Sequence, residues 1–145
     1  MSYNNNYRNS RFKIEIDGII QAGFSEATNL ESTTEVIEYR EGTDPTTMRK
    51  TAGLTKYGNF TLKWGIADSM ELYNWYKDIV DGKINTSRKT IHIRLLKEQG
   101  LDDFAASWTF INAWPTKYDP GDFNAKNNEI FIEVLEIAHE GMIRE

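Results

Sequence analysis

The stretch from Thr109 to Tyr118 constrains the fold of this chain more than any other part of its sequence. It places large aromatic side chains at strand spacing, among them Phe110 and Trp114, and then meets Pro115. Side chains alternate between the two faces of a β-strand, and proline cannot donate a hydrogen bond to a neighbouring strand. The stretch therefore predicts a β-strand that stops at the proline, at a structural edge.

The composition is that of a single globular domain. The chain has 145 residues, of which 39% are hydrophobic and 27% charged, and a domain of this size buries roughly 68–70% of the surface of its unfolded chain. It contains no cysteine, which excludes disulfides, thiolate catalysis and cysteine zinc sites. We predict a flexible, asparagine-rich segment over 1–10 and one domain over 11–145.

The charge and the hydropathy pattern also bear on partners and location. Seventeen basic and 22 acidic residues give a net charge of −5, which disfavours tight binding of a polyanion such as DNA. Residues 1–10 lack the apolar core of a signal peptide, and no segment approaches the roughly 18 continuous apolar residues of a membrane span. We expect no signal peptide, no membrane anchoring and assembly in a reducing cytoplasm.

Strands are predicted from alternation and from β-branched residues. The predicted strands cover residues 12–16, 34–41, 59–64, 91–95, 108–110 and about 129–137, with a hairpin between the fourth and the fifth. The last of them is apolar on both faces, so we expect it to be central or covered by a partner. Asp119, Pro120 and Gly121 predict a turn.

One helix is predicted over about 69–81. Asp68 and Glu71 have the spacing of a capping box, and an apolar stripe that includes Leu72 and Tyr76 continues to Gly82, which can close the helix in the left-handed conformation. Trp75 falls off that stripe, so we expect it to seat the helix edge or to meet a neighbouring molecule.

Residues 42–53 predict a long extended loop, because this stretch has glycine at both ends, a proline and no periodicity. Loops of that length in one domain are usually functional or bound to a partner. Together the elements predict a mainly β, α+β fold: a six- to seven-stranded antiparallel β-barrel or sandwich with one packed helix.

The sequence offers little for catalysis or for metal binding. With only two histidines, His92 and His139, a three-histidine zinc site is impossible, and we expect His92 on the polar face of its strand and His139 in the tail. No nucleophile elbow, phosphate loop or dinucleotide fingerprint occurs. The carboxylate pairs Asp102 with Asp103 and Glu133 with Glu136 are explained by a turn and by a solvated or interfacial strand face. We predict no enzyme activity and no catalytic, cofactor or metal residues.

The four tryptophans leave a binding function open. They could form a stacking platform for sugars or single-stranded nucleic acid on a monomeric β-sandwich. Aromatic residues at strand spacing with apolar neighbours are more often core residues. We therefore expect Trp64, Trp108 and Phe110 in the core.

Several motifs resemble the tail tube proteins of contractile phage tails and related injection particles. They occur in family order along nearly the whole chain, from Phe12 to the end, and only together are they specific. The motifs are Ile16-Asp17-Gly18, Ala22-Gly23-Phe24-Ser25-Glu26, Leu30-Glu31-Ser32, Tyr39-Arg40-Glu41-Gly42, Leu54-Thr55-Lys56-Tyr57-Gly58, Leu72-Tyr73-Asn74-Trp75-Tyr76, Asn112-Ala113-Trp114-Pro115-Thr116-Lys117-Tyr118, Asn124-Ala125-Lys126 and Ala138-His139-Glu140-Gly141.

The resemblance implies a structural subunit of an inner tube. Such subunits form hexameric rings that stack into a hollow conduit for DNA or a protein effector, inside a contractile sheath and between baseplate or tube-initiator and tail-terminator proteins. The particle would be a virion tail or a phage-tail-like injection device. A tube initiator or terminator would carry most of the same motifs, so that alternative stays open.

The resemblance also implies candidate contact residues. For contacts between subunits and stacked rings they are Gly42, Thr43, Asp44, Pro45, Met48, Arg49, Lys50, Gly53, Leu54, Tyr57, Trp114, Lys117, Tyr118 and His139. For the sheath-facing side of the helix they are Glu71, Asp78 and Asp81.

Overall fold

The computed structural model describes residues 11–19, 23–43, 45–65, 70–97, 103–123, 125 and 131–145. The predicted flexible segment 1–10 lies outside them. Within the described residues the elements are β1 (Phe12–Ile16), β2 (Phe24–Thr28), β3 (Ser32–Tyr39), β4 (Arg49–Tyr57), β5 (Phe60–Gly65), α1 (Glu71–Val80), α2 (Ile84–Ser87), β6 (Lys89–Leu96), β7 (Phe104–Asp119), β8 (Ile132–Ala138) and β9 (Gly141–Arg144).

The strands form two antiparallel sheets of unequal size. Seven strands make the main sheet, in the order β1-β6-β7-β8-β5-β2 with β9 also on β7, and β3 and β4 make a separate two-stranded sheet. Among the described strands, β1 and β2 lie at opposite ends of that order and do not pair, so the main sheet is not closed into a barrel. The predicted mainly β, α+β fold is confirmed in its sandwich-like form.

The longest strand, β7, passes through the proline at which we predicted it to stop. Its first half pairs with β6 and β9 and its second half with β8. The predicted stop is wrong because the register shifts between Pro115 and Lys117, and a bulge is a place where a strand tolerates a missing N–H. Asn112 has φ 51° where the strand changes partners.

One hydrophobic core joins the main sheet and α1. It contains inward-facing residues from five strands and the helix: Ile14, Ile16, Phe60, Leu62, Trp64, Leu72, Trp75, Ile91, Ile93, Phe110, Ala113, Leu135 and Ile137. Strand alternation puts the strand residues of this core on one face, as the sequence predicted for β1, β5 and β6. Trp64 and Phe110 are buried and Trp108 packs against the core, so the expectation for all three is confirmed.

The predicted helix is confirmed as α1, but its N-cap and its buried face differ from the prediction. The N-cap is Met70, which makes no side-chain capping hydrogen bond, while the predicted cap Asp68 lies outside the described residues. Gly82 closes the helix with φ 85°. Trp75 is not at an edge: it is 2% exposed, and its Nε1–H donates to the Ser87 carbonyl at 2.6 Å.

The predicted loop over 42–53 is about half strand. Residues from Arg49 onward belong to β4, so β3 and β4 form a hairpin joined by residues 40–48. Periodicity missed this strand because alternation reports burial of one face, and β4 is exposed on both. The predicted last strand is confirmed as β8, which lies between β5 and β7, although residues 129–130 lie outside the description. Neither β2, α2 nor β9 was predicted.

We expect Trp75→Phe to lower the free energy of unfolding by about 2–4 kcal/mol, because it removes buried volume and leaves the Ser87 carbonyl without its donor. Equilibrium unfolding in urea measures this. The control is Val80→Ala on the same helix, since Val80 is exposed and surface changes stay within about 0.5 kcal/mol. Equal effects of the two variants would show that Trp75 does not anchor α1.

Candidate assembly interface

The hairpin of β3 and β4, residues 32–57, projects from the domain as an arm. Its two strands pair with each other from Ser32↔Tyr57 to Tyr39↔Arg49, and neither forms a ladder with another described strand. Other described elements contact them only sparsely. Among the described residues, nothing pairs with the two outer edges of the arm or covers its two faces.

The arm carries exposed apolar side chains on both faces. Val36 is 59% exposed and Leu54 is 71% exposed, and Ile37, Tyr39 and Met48 are exposed as well. Val36 lies opposite Ala52, whereas its chain neighbour Ile37 lies opposite Thr51, so these two side chains point to opposite faces. Clustered exposed apolar residues of this kind mark interaction sites.

Charged residues are interleaved with these apolar ones. Glu38 lies opposite Lys50, and Tyr39 lies opposite Arg49. Opposite charges across a strand pair contribute roughly 0.2–1 kcal/mol. A surface of mixed apolar groups and charged groups of both signs suits a specific protein partner better than a lipid or a polyanion.

Gly53 has a packing role inside the arm. The register shifts between Thr34 and Val36, opposite Gly53. A Cβ at position 53 would lie 3.1 Å from the Ile37 side chain and 3.3 Å from the Cβ of Glu35. The glycine thus lets β3 approach β4 closely at the bulge.

The arm is attached through a narrow root. It continues the ladder of β2 and β5, and the break between the two ladders falls at Asn29 to Glu31 and at Gly58. Asn29 has φ 67°, and the Gly58 N–H donates to the Glu31 carbonyl at 3.0 Å. A Cβ on Gly58 would lie 2.7 Å from Glu31 Cγ, so a larger residue here would have to displace the Glu31 side chain.

An aromatic junction lies between the root and the core. The His139 ring is centred 5.4 Å from Tyr57 of the arm, 5.5 Å from Phe60 and 5.0 Å from Phe110. His139 is 8% exposed, and its Nδ1–H donates to the Gly141 carbonyl at 3.1 Å. Burial lowers the pKa of His139, against a smaller opposite effect of the Gly141 and Gly58 backbone.

Glu140 fixes the chain on the other side of His139. Its carboxylate accepts from Asn112 Nδ2 at 3.0 Å and pairs with Arg88, and its N–H donates to the Ile111 carbonyl at 3.0 Å. The hydrogen bonds from Asn112 and then Arg88 lower the pKa of this exposed carboxyl. The turn between β8 and β9 is thereby held to β7.

A second cluster of polar aromatics lies beneath α1. Tyr118 packs against Tyr73 and Tyr76, and its hydroxyl donates to the buried Glu133 carboxylate. Burial, followed by the hydrogen bond and charge of Glu133, raises the pKa of Tyr118 to about 12. The protonated phenol therefore favours the folded state below its ordinary pKa of about 10, and this contribution is lost as pH rises toward 12.

The structure brings most of the predicted contact residues together on the arm. Those that lie exposed in the arm or its connecting turn are Gly42, Thr43, Pro45, Met48, Arg49, Lys50 and Leu54, with Gly53 and Tyr57 half-buried; Asp44 lies outside the described residues. Their proposed contacts stay predictions.

The remaining predicted contact residues lie in the body, which is the described part of the domain outside the arm. Lys117 is exposed, Trp114 and Tyr118 are half-buried, and His139 is buried. On the helix side, Glu71 and Asp81 are exposed and Asp78 is half-buried. Sequence reasoning missed Val36, Ile37 and Tyr39; their signal was an apolar pair at adjacent positions of a polar strand.

The structure also has a polar groove and no described metal cluster. The groove, of about 350 Å³, is lined by residues of β1, β6 and the turn after β1, including Glu15, Asp17, His92 and Arg94. His92 lies at the side of the groove, with Nδ1 3.0 Å from Thr109 Oγ1. Within the described ranges no three acidic, histidine or cysteine residues are placed to hold a metal ion, and no helix there is long and apolar enough to cross a membrane.

Comparison with known proteins gives one family and one fold. The family model of the T4-like virus tail tube protein gp19 matches residues 8–143. No curated protein sequence matches.

Among solved structures, a chain of the tube-terminating cap of the anti-feeding prophage is 26% identical, with a TM-score of 0.82, over 100% of this chain and 94% of that one. A chain of the PVC extracellular contractile injection system, in its extended sheath-tube complex, is 25% identical, with a TM-score of 0.80, over 97% and 92%. A chain of the PVC sheath/tube terminator shares the fold, with 23% identity and a TM-score of 0.83 over 99% of both chains.

We expect Tyr118→Phe to lower the free energy of unfolding by about 1–3 kcal/mol at neutral pH, because it leaves the buried Glu133 carboxylate without its donor. The matched control is Tyr73→Phe, which removes a hydroxyl from the same cluster and should change stability by under about 0.5 kcal/mol. Urea unfolding of both variants measures the difference. If Tyr118→Phe is no less stable than Tyr73→Phe, the hydrogen bond does not support the cluster.

Proposed function

Because the chain belongs to the T4-like virus tail tube protein family, we propose that it is a structural subunit of the inner tube of a contractile tail or injection particle. Copies of this chain assemble into hexameric rings, and the rings stack into a hollow conduit. The observation that carries this proposal is the arm. It exposes apolar residues on both faces, and its two strands pair with each other but with no other described strand.

Ring closure uses the edges of the main sheet. The outer edges of β1 and β2 have no described strand beside them, and unpaired edges invite pairing with another chain. Because the sheet is open at both ends, a second copy can continue it on either side. A head-to-tail contact of this kind closes into a ring when its rotation divides a full turn, and we propose six copies.

The arm then joins a subunit to its neighbours and to the next ring. The predicted contact residues from Gly42 to Tyr57 lie on it, and we add Val36, Ile37 and Tyr39 of β3. Exposed apolar groups on both faces suit insertion between two protein surfaces.

The remaining partners follow from the position of a tube subunit in the particle. Glu71, Asp78 and Asp81 on α1 and its C-cap face the contractile sheath, and baseplate or initiator and terminator proteins cover the tube ends. The conduit carries DNA or a protein effector without tight binding, which the net charge of −5 favours for an acidic cargo. Assembly takes place in the bacterial cytoplasm, and the role needs no enzyme activity.

A second candidate is a terminator or initiator ring at one end of the tube. The similarity to a chain of the anti-feeding prophage cap, 26% identical, favours this alternative as well. An end ring would form hexamers that do not extend, whereas a main tube subunit would form tubes. A monomeric β-sandwich binding module would form neither.

Negative-stain electron microscopy and analytical ultracentrifugation of the purified chain test the proposal. We expect rings or tubes for the wild type. The double variant Val36→Ser and Leu54→Ser should lose stacked tubes while its unfolding free energy changes by under about 0.5 kcal/mol, since both side chains are exposed.

The matched control is Val80→Ser, which removes an equally exposed valine from α1 and should assemble as the wild type does. A wild type that stays monomeric at high concentration would contradict the proposal. Unchanged tubes in the double variant would remove the arm from the stacking contact.

A further inference from the structure

His139 lies where the arm meets the body. Tyr57, the last residue of β4, places its ring against His139. The next residue, Gly58, donates its N–H to the Glu31 carbonyl in the root of the arm. His139 also packs against Phe60 and Phe110 of the core. The imidazole therefore lies in the contact through which the arm is seated.

The imidazole is built into this contact in its neutral form. The Gly141 carbonyl can only accept, so Nδ1 carries the proton, and in the described part of the protein Nε2 has no hydrogen-bond partner. A proton on Nε2 would place a buried charge among three aromatic rings, and the Gly141 and Gly58 backbone offsets only part of the loss of hydration. The cost of burying a charge is relieved when the group reaches water.

The charged groups around His139 are few. The ring contacts of His139 are Phe60 of β5, Phe110 of β7 and Tyr57 of β4, and no charged side chain is among the causes of its pKa shift. Lys56, the chain neighbour of Tyr57 in β4, is exposed. Glu140, next in the chain, is bound to Arg88 and Asn112. Glu31 is the acidic group at the root of the arm, close to Gly58.

When His139 is protonated, the arm can separate from the imidazole ring more easily than the turn that carries His139 can move. Glu140 is held to β7 by its side chain and its backbone, so the turn that carries His139 is fixed. On the arm side, the described contacts of the root with the body are the Tyr57 ring on His139 and Leu30 packed against the core, and the neighbouring Asn29 has a left-handed backbone.

We propose that His139 is a proton-sensitive anchor of the arm: the neutral ring seats the arm root, and protonation releases it. This deepens the proposed function, on which it rests for its meaning, because it names a regulation of the arm that joins subunits. Acid would favour subunits with mobile arms over assembled tubes.

The direction in which pH changes the ratio of opened to seated arms follows from proton linkage. The pKa of seated His139 is lowered by burial, whereas in an opened root it returns toward the reference value of about 6.5. Well above pH 6.5 the imidazole is neutral in both states, so the ratio of opened to seated arms does not depend on pH. As pH falls below it, the opened state binds the proton first, and the ratio of opened to seated arms rises by at most tenfold per pH unit until the seated ring is also protonated.

A distance measurement on the unassembled subunit tests this. The chain has no cysteine, so Met48→Cys on the arm and Lys77→Cys on α1 supply the only two thiols for spin labels, and both positions are exposed. We expect one narrow distance distribution at about pH 7.5 and a second population at about pH 5.8, with the opened-to-seated ratio raised up to about fivefold.

The control variants show which of the two histidines and the nearby Glu31 is responsible for the pH response. His139→Gln, which keeps Glu31, should lose the pH response, and His92→Gln should keep it. Should His139→Gln fail to fold, Tyr57→Leu keeps the imidazole but removes the arm ring, and should show the second population already at about pH 7.5.

Three results would overturn the anchor: a wild-type distribution that does not change with pH, a His139→Gln variant that responds like the wild type, or a Tyr57→Leu distribution identical to the wild type at about pH 7.5. Assembly is read separately by electron microscopy. A chain that never assembles refutes the tube proposal, while the distances still decide the anchor.

Discussion

An isolated two-stranded hairpin is marginally stable in water at best, and the arm of this protein is such a hairpin. None of the buried hydrophobic residues in the described chain comes from β3 or β4. The body keeps its own core, with β7 joining the two halves of the main sheet, whereas the arm relies on its ladder, its root and whatever surface covers it. The need for an external surface to cover the arm connects the fold to a function in assembly.

The sequence predicted the body well because burial of one face leaves a period in the residues. Alternation identified β1, β5, β6 and the start of β7, and Trp64 and Phe110 lie in the core as expected. Trp75 was misplaced because Leu72 and Trp75, three residues apart, form the buried face of α1. The continuation of β7 through Pro115 depends on a bulge that only the three-dimensional pairing reveals.

The arm was harder to predict for the same physical reason. Its strands are exposed on both faces, so no alternation marks them, and the sequence pattern of Arg49 to Gly53 predicts a loop instead of a strand. The sequence did predict that this segment is functional, from its resemblance to tail tube proteins. Two roles were beyond sequence reasoning: that of Gly58, which lies against the Glu31 side chain, and that of His139, which lies buried at the root of the arm.

The central claim is that the arm obtains its missing contacts from other copies of the chain. Hydrogen–deuterium exchange on free subunits and on assembled tubes tests it most directly. In free subunits, β3 and β4 should exchange much faster than β5, β7 and β8, and in tubes β3 and β4 should become protected. An arm that is as protected as the core in the free subunit, or that gains no protection on assembly, would contradict the account.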